Sequence, residues 1–253
     1  MEFLMKTLIL ILLMILISCA GTKNSDELTL KDIFNRGMNN LENSKYLQAQ
    51  SDFKNVLIRG TGTDFGDDAQ YFLGESYFRN KEYLLAVAEY EKLTRKMGYS
   101  PFVEDARFKI CEAYRIESPK YYHDQEYTLK ALERYQEFID DYPNSIFLDD
   151  VLASINILRD KLAKKAFETG ILYMKMEEYE SAKLSFQIVI DKFYDTSYFV
   201  NSKKEMVLAL AKNKETEFAK NFLESNKALL AEKDLYDEAR EAIEYINSRL
   251  SKE

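Results

Sequence analysis

The sequence predicts an all-α array of stacked helix hairpins, and three observations predict it. Glycine (8) and proline (3) are scarce in the 253 residues, which leaves little room for the many turns of a sheet protein. Small residues and rings recur at one spacing: Gly37, Gly74 and Cys111 lie 37 residues apart, as do Phe34, Tyr71 and Phe108. Apolar residues elsewhere keep a helical period, as at Phe147, Val151, Ile155, Leu158 and Leu162.

The chain opens on a targeting segment. Lys6 is a positive flank, residues 8–17 are an apolar stretch, and Ser18-Cys19-Ala20-Gly21 is a small-residue cleavage site. This resembles a bacterial lipoprotein signal, which implies that residues 1–18 are removed and that Cys19 carries the lipid. The apolar run from Phe3 to Ile17 is interrupted by Lys6 and Thr7. It falls short of the roughly 20 residues of a membrane span, so acyl chains are the expected anchor, with an ordinary cleaved signal as the other reading. Each buried CH2 of such a chain adds about 0.8 kcal/mol, and several chains hold firmly where one does not. Met5 offers a second start beside Met1. Ala20 stands where an aspartate would retain an enterobacterial lipoprotein in the inner membrane, so the resemblance implies the outer membrane. Residues 19–29 form a polar, lipidated tether.

The repeats follow. Leu73-Gly74-Glu75-Ser76-Tyr77, then Tyr83, Ala86, Tyr90 and Leu93, match the tetratricopeptide pattern of leucine, glycine, tyrosine, a later alanine and an aromatic. Gly37, Tyr46, Ala49 and Phe53 give a first copy, and Ile110, Tyr114, Ala131, Tyr135 and Pro143 a weaker third. Gly170, Tyr173, Tyr179, Ala182 and Phe186 give a fourth, and Leu210, Ala219 and Leu223 a degenerate fifth. Glycine inside a helix costs about 1 kcal/mol relative to alanine, so its recurrence needs a compensating gain. Close approach of the paired helix supplies it, and Cys111, in the same register, reads as buried packing. A single hairpin cannot bury its apolar face, so stacking makes the core.

Two stretches depart from the array. Between Arg115 and Tyr127 the third hairpin is about eight residues too long for the pattern, with Pro119 and Tyr121-Tyr122-His123-Asp124 inside it. After Pro143 the helical period predicts one long helix over 146–176 with Asn144 or Ser145 as N-cap. Gly60-Thr61-Gly62-Thr63 reads as a loop, Ser100-Pro101 as a helix start with proline in its first turn, and residues 234–250 as a capping helix. The domains expected are therefore 1–18 signal, 19–29 tether, 30–143 repeats 1–3, and 144–253 long helix, repeats 4 and 5 and cap.

A net charge of −8 and a pI near 5.0 argue against nucleic acid as a partner. His123 is the sole histidine and sits without nearby cysteines, so no metal site is expected and the ring should face solvent. No G-x-S-x-G, H-E-x-x-H or phosphate-cradling loop occurs, so neither catalysis nor a cofactor is expected.

The most specific stretches are Asp124-Gln125-Glu126 to Tyr142-Pro143-Asn144-Ser145, Leu158-Arg159-Asp160-Lys161-Leu162-Ala163, Tyr173 to Ala182, and Phe193 to Thr196. Through them the chain resembles the BamD family, the tetratricopeptide lipoproteins of the outer-membrane barrel assembly machinery. It departs from that family in having Tyr194 where the family's turn has proline, and Ser185 and Asp191 where it often has basic residues. The resemblance implies an outer-membrane anchor facing the periplasm and no chemistry of its own. It further implies that N-terminal repeats meet unfolded barrel precursors and C-terminal repeats meet the barrel-forming, BamA-type subunit. The other class of role is an adaptor for periplasmic cell-wall or division proteins. The candidate peptide groove is a ladder of Phe34, Tyr71 and Phe108, extended by Phe167 and interleaved with Glu75, Arg79, Glu112 and Arg115. The same rings at repeat spacing equally suit inter-repeat core.

Overall fold

The computed structural model describes residues 28–60 and 65–250; the signal segment, Cys19, the tether up to residue 27 and residues 61–64, most of the expected loop, lie outside the described residues. Every regular element among the described residues is a helix. Five hairpins follow in order: α1 (Leu30–Glu42) with α2 (Tyr46–Arg59), α3 (Gly66–Arg79) with α4 (Tyr83–Lys96), α5 (Val103–Glu117) with α6 (Glu126–Asp141), α7 (Leu148–Lys175) with α8 (Tyr179–Lys192), and α9 (Phe199–Lys212) with α10 (Thr216–Ser225). A short α11 (Lys227–Glu232), not foreseen from sequence, leads to α12 (Tyr236–Leu250). Tyr236, Ala239 and Ile243 of α12 cover Val207 and Leu223 of the last hairpin, so the five-hairpin array and its cap match the expectation.

The small-residue register is where paired helices close on each other. A Cβ placed on Gly37 would lie 2.9 Å from the Phe53 ring, on Gly74 2.6 Å from Tyr90, and on Gly170 2.5 Å from Phe186. Those rings sit four residues after the buried alanines Ala49, Ala86 and Ala182, so each alanine admits the helix and each glycine admits the ring. Cys111 takes the register in the third hairpin, 1% exposed, in one cluster with Tyr135; burial pushes its thiol well above the usual range. In the fifth hairpin the sizes are exchanged. Val207 stands in the register and the smaller Leu223 replaces the ring.

The turn inside four of the five hairpins is a left-handed residue: Ser44, Lys81, Glu177 and Lys214, with φ of 58, 63, 63 and 64°. In α3 the Glu82 N–H donates to Tyr77 O at 2.9 Å and the Lys81 N–H to Phe78 O at 3.0 Å, a Schellman close. The third hairpin has Ser118 at this place, followed by Pro119, and a residue before proline avoids helical geometry. Ser118 accordingly turns to φ −62°, ψ 115°, and the extra residues follow. A side chain in the left-handed region costs roughly 1–2 kcal/mol, part of which glycine returns through its freer unfolded chain. Lys81→Gly is therefore expected to raise stability by about 1 kcal/mol or less, read from a thermal melt; a lowered melting temperature would contradict the strain assigned to that turn.

The long helix is present as α7, 28 residues and about 42 Å at 1.5 Å per residue. Its first half packs Val151, Ile155 and Leu158 with Phe138 of the third hairpin. Its second half packs Phe167, Ile171 and Met174 with Phe186 of the fourth. Two expectations about helix starts are corrected. The N-cap of α7 is Phe147, and Ser145 Oγ accepts from the Phe147 N–H at 3.1 Å, before the helix proper. Likewise α5 starts at Val103 rather than at Pro101, with Ser100 Oγ accepting from the Phe102 N–H at 3.3 Å. In both, a tight turn bonded to the serine precedes the helix and displaces its start.

Candidate functional site

Each ring of the expected ladder packs on the aromatic residue at which the next hairpin begins. Phe34 lies 5.6 Å from Phe65, Tyr71 4.5 Å from Phe102 at an interplanar angle of 12°, Phe108 4.3 Å from Phe147 at 6°, and Phe167 5.4 Å from Tyr198. The intervals in which a peptide's side chains would be seated are filled by the protein's own rings. These positions are inter-repeat core, the other role open to them from sequence. Phe65, Phe102 and Tyr198 were not foreseen, and Phe147 was read only as part of the helical period of the long helix. Phe65, Phe102 and Phe147 carried a signal: each is followed at the second and third positions by acids, Asp67-Asp68, Glu104-Asp105 and Asp149-Asp150, which favour a helix N-terminus.

The charged members of the candidate groove form two equivalent clusters. Glu75 is buried and accepts from the Tyr90 hydroxyl at 2.6 Å, from Arg79 Nε at 3.2 Å, and from Lys109 Nζ at 3.2 Å. Burial pulls its pKa up, but Lys109, Tyr90 and Arg79 together outweigh it and hold the carboxyl below the ordinary glutamate value. One repeat on, Glu112 accepts from the Tyr135 hydroxyl and from Arg115 Nε at 2.8 Å and Nη2 at 2.5 Å, with the same sense of shift. Both carboxylates follow the small-residue register directly. Where the facing ring is Phe53 or Phe186, which has no hydroxyl, the same place holds Met38 or Ile171. A buried tyrosine hydroxyl needs an acceptor, and that need accounts for Glu75 and Glu112. Only Arg79, Lys109 and Arg115 present substantial surface here.

Two of the stretches that carry the family resemblance meet in space. Arg159 of α7 donates to Asp195 at 2.8 and 2.6 Å and to Lys192 O at 2.7 Å, and Asp160 accepts from the Ser197 N–H at 2.9 Å. The turn that carries Tyr194 in place of proline is thus pinned by α7. The insertion, 118–125, is an ordered arch around buried Gln125, whose amide donates to Lys120 O at 2.9 Å and His123 O at 3.0 Å and accepts from Thr128 Oγ1 at 2.7 Å. His123 faces solvent, as expected.

An apolar cleft of about 350 Å³ opens between α8, α9 and α10. Met206, Leu210 and Phe222 floor it, and Leu184 and Phe218 stand on its sides with 69% and 68% of their surface exposed. Lys183 bridges Glu215 at 2.5 Å and Glu180 at 2.9 Å along its rim. Isolated exposed leucines are ordinary, whereas an apolar concavity with a charged rim is the form of a protein-docking surface. Among the described residues no helix is long and apolar enough to cross a membrane, and no three His, Cys, Asp or Glu side chains converge as a metal would need.

Stacked hairpins with glycine-for-ring closure and an open apolar cleft define a tetratricopeptide-type repeat protein. The model of the YfiO family, described as outer membrane lipoprotein, matches residues 26–229. The chain belongs to that family. It is similar to the outer membrane protein assembly factor BamD of Rickettsia prowazekii, with 24% identity over 79% of this chain and 80% of that one. It is also similar to BamD of Caulobacter vibrioides, with 20% identity over 71% of this chain and 61% of that one. Among solved structures, the TPR2AB domain of yeast Sti1 in its pHSP90 complex aligns over 88% of this chain and 92% of its own at 12% identity, TM-score 0.43; the fold stands on the packing described above.

Proposed function

We propose that the protein is an outer membrane protein assembly factor, a non-catalytic scaffold held at the outer membrane by lipid on Cys19 and facing the periplasm. The observation that carries this reading is the family match across 26–229, supported by two relatives named as such factors. The cleft between α8, α9 and α10 supports a division of labour in which the C-terminal repeats dock the BamA-type subunit. Unfolded precursors are then received on the N-terminal half, where Arg79, Lys109 and Arg115 offer exposed donors while the ring ladder stays in the core.

The test is affinity purification of the tagged protein from native membranes in mild detergent after short-range crosslinking, with Cys19→Ala beside the wild type. The wild type should recover a barrel-forming protein crosslinked through residues after about 176, and Cys19→Ala should fold but move to the periplasmic soluble fraction. Recovery of cell-wall enzymes without a barrel protein would replace this reading with the adaptor, and a membrane-bound Cys19→Ala would refute the anchor.

A further inference from the structure

The chain carries eight more negative than positive charges, yet a group of cations beside the insertion has been left without carboxylates. Lys161, Lys164 and Lys165 lie on α7. The Lys161 amine donates to Ser118 Oγ at 2.7 Å and Ser118 O at 3.3 Å, Lys165 donates to His123 O at 2.6 Å, and Lys164 rests 4.7 Å from the Tyr121 ring centre. None of the three pairs with a carboxylate among the described residues. Two acids near the insertion are engaged elsewhere, Glu112 with Arg115 and Tyr135 and Asp124 with the Glu126 N–H, and Glu168, one turn after Lys164 on α7, makes no ion pair with it. Burial and the neighbouring Arg115 press the Lys161 amine below its usual value, which is the mark of a cation lacking its counter-charge.

Apolar surface flanks the cations. Tyr122 is 59% exposed beside Tyr121, and Ile157, one turn before Lys161 on the same helix face, is 60% exposed. We propose that the α7 lysines Lys161, Lys164 and Lys165, with Tyr121, Tyr122 and Ile157, form a docking surface for an extended acidic segment of a partner protein that alternates carboxylates with aromatic side chains. The amines are fixed in place by the arch, so a carboxylate entering there meets oriented donors rather than floppy side chains. Lys161 is half-buried and held against Ser118 at 2.7 Å, set back from the outer surface of the helix. Charged side chains on a flexible peptide can enter where the headgroups of a bilayer cannot, which favours a peptide over a membrane. The inference goes beyond the assembly-factor reading and fails separately from it, because its assay uses the purified protein and no assembly.

The test is fluorescence anisotropy of a labelled synthetic peptide of alternating glutamate and tyrosine, with a glutamine-tyrosine peptide as neutral control, on the full-length protein in detergent. Anionic phosphatidylglycerol vesicles are the membrane arm. The glutamate peptide should bind with an affinity that falls as salt rises. Lys161→Gln/Lys164→Gln/Lys165→Gln should weaken binding by about tenfold or more, while the corresponding arginine variant retains it. Tyr122→Ala, which removes no hydrogen bond of the arch, should weaken binding several-fold and keeps the proposal testable should the triple variant melt early. No binding by the wild type, equal binding of the glutamine peptide, equal binding by a folded triple variant, or a response to vesicles alone would each overturn the proposal.

Discussion

Gly170→Val should destabilise the array by about 1–3 kcal/mol, the range for forcing extra methylenes into a filled core, and Phe186→Leu introduced with it should return a large part of that loss. A Cβ at Gly170 would lie 2.5 Å from Phe186 Cε1 and 2.8 Å from Cδ1, inside any real contact, and the Phe186 ring is fully buried with no room to retreat. Phe186→Leu alone should cost about 1–3 kcal/mol from the cavity it leaves, somewhat below the range for truncation to alanine. The pair is expected to do better than the sum because the fifth hairpin already uses it, with Val207 in the small-residue register facing Leu223. Residues in contact typically show coupling of about 0.5–3 kcal/mol, so a double-mutant cycle in urea should give a coupling of that size and favourable sign. Strict additivity would mean that the glycine register is not governed by the facing ring.

The 37-residue spacing, the glycines and the alanines made the hairpin array legible, because each places a small side chain where two backbones must approach. The long helix was legible for a different reason: apolar residues from Val151 to Leu162 keep a helical period through the place where another repeat would have turned. The ring contacts were not legible. Phe34 and Tyr71 were visible as a periodic pair, but their partners Phe65 and Phe102 precede the helices and follow no hydrophobic period, so the rings stood without neighbours. The partners of Glu75 and Glu112 were hidden for the same reason. The sequence showed them as charges interleaved with the rings, and only the fold shows that Tyr90 and Tyr135 place hydroxyls on them. Lys161 was visible only as part of a stretch shared with the family, and the grouping of the α7 lysines was not legible, since only the folded arch brings His123 O and Ser118 within reach of residues more than forty positions away.

Glu75→Met should cost more than any surface charge substitution and should be rescued by Tyr90→Phe. Removing the carboxylate strands the Tyr90 hydroxyl in the core, an orphan group worth about 1–3 kcal/mol. It also releases Arg79 and Lys109, which are 49% and 30% exposed and can turn to water, so the roughly 3–5 kcal/mol of a broken buried pair is an upper bound. Tyr90→Phe removes the orphan, reproducing the Met38 and Phe53 arrangement of the first hairpin, and the double variant should recover most of the stability. The carboxylate also leaves a pH signature. Its folded pKa lies below the unfolded value, so its contribution is complete above about pH 4.3 and is lost as pH falls through the folded value. Glu112 acts in the same sense. Denaturant melts across that acid range should therefore show the wild type losing stability faster than Glu75→Met/Tyr90→Phe, the gap between them closing as pH falls. Parallel pH profiles would show that Glu75 holds no charge-dependent part of the fold, and would leave the tyrosine hydroxyl as the sole reason for a carboxylate there.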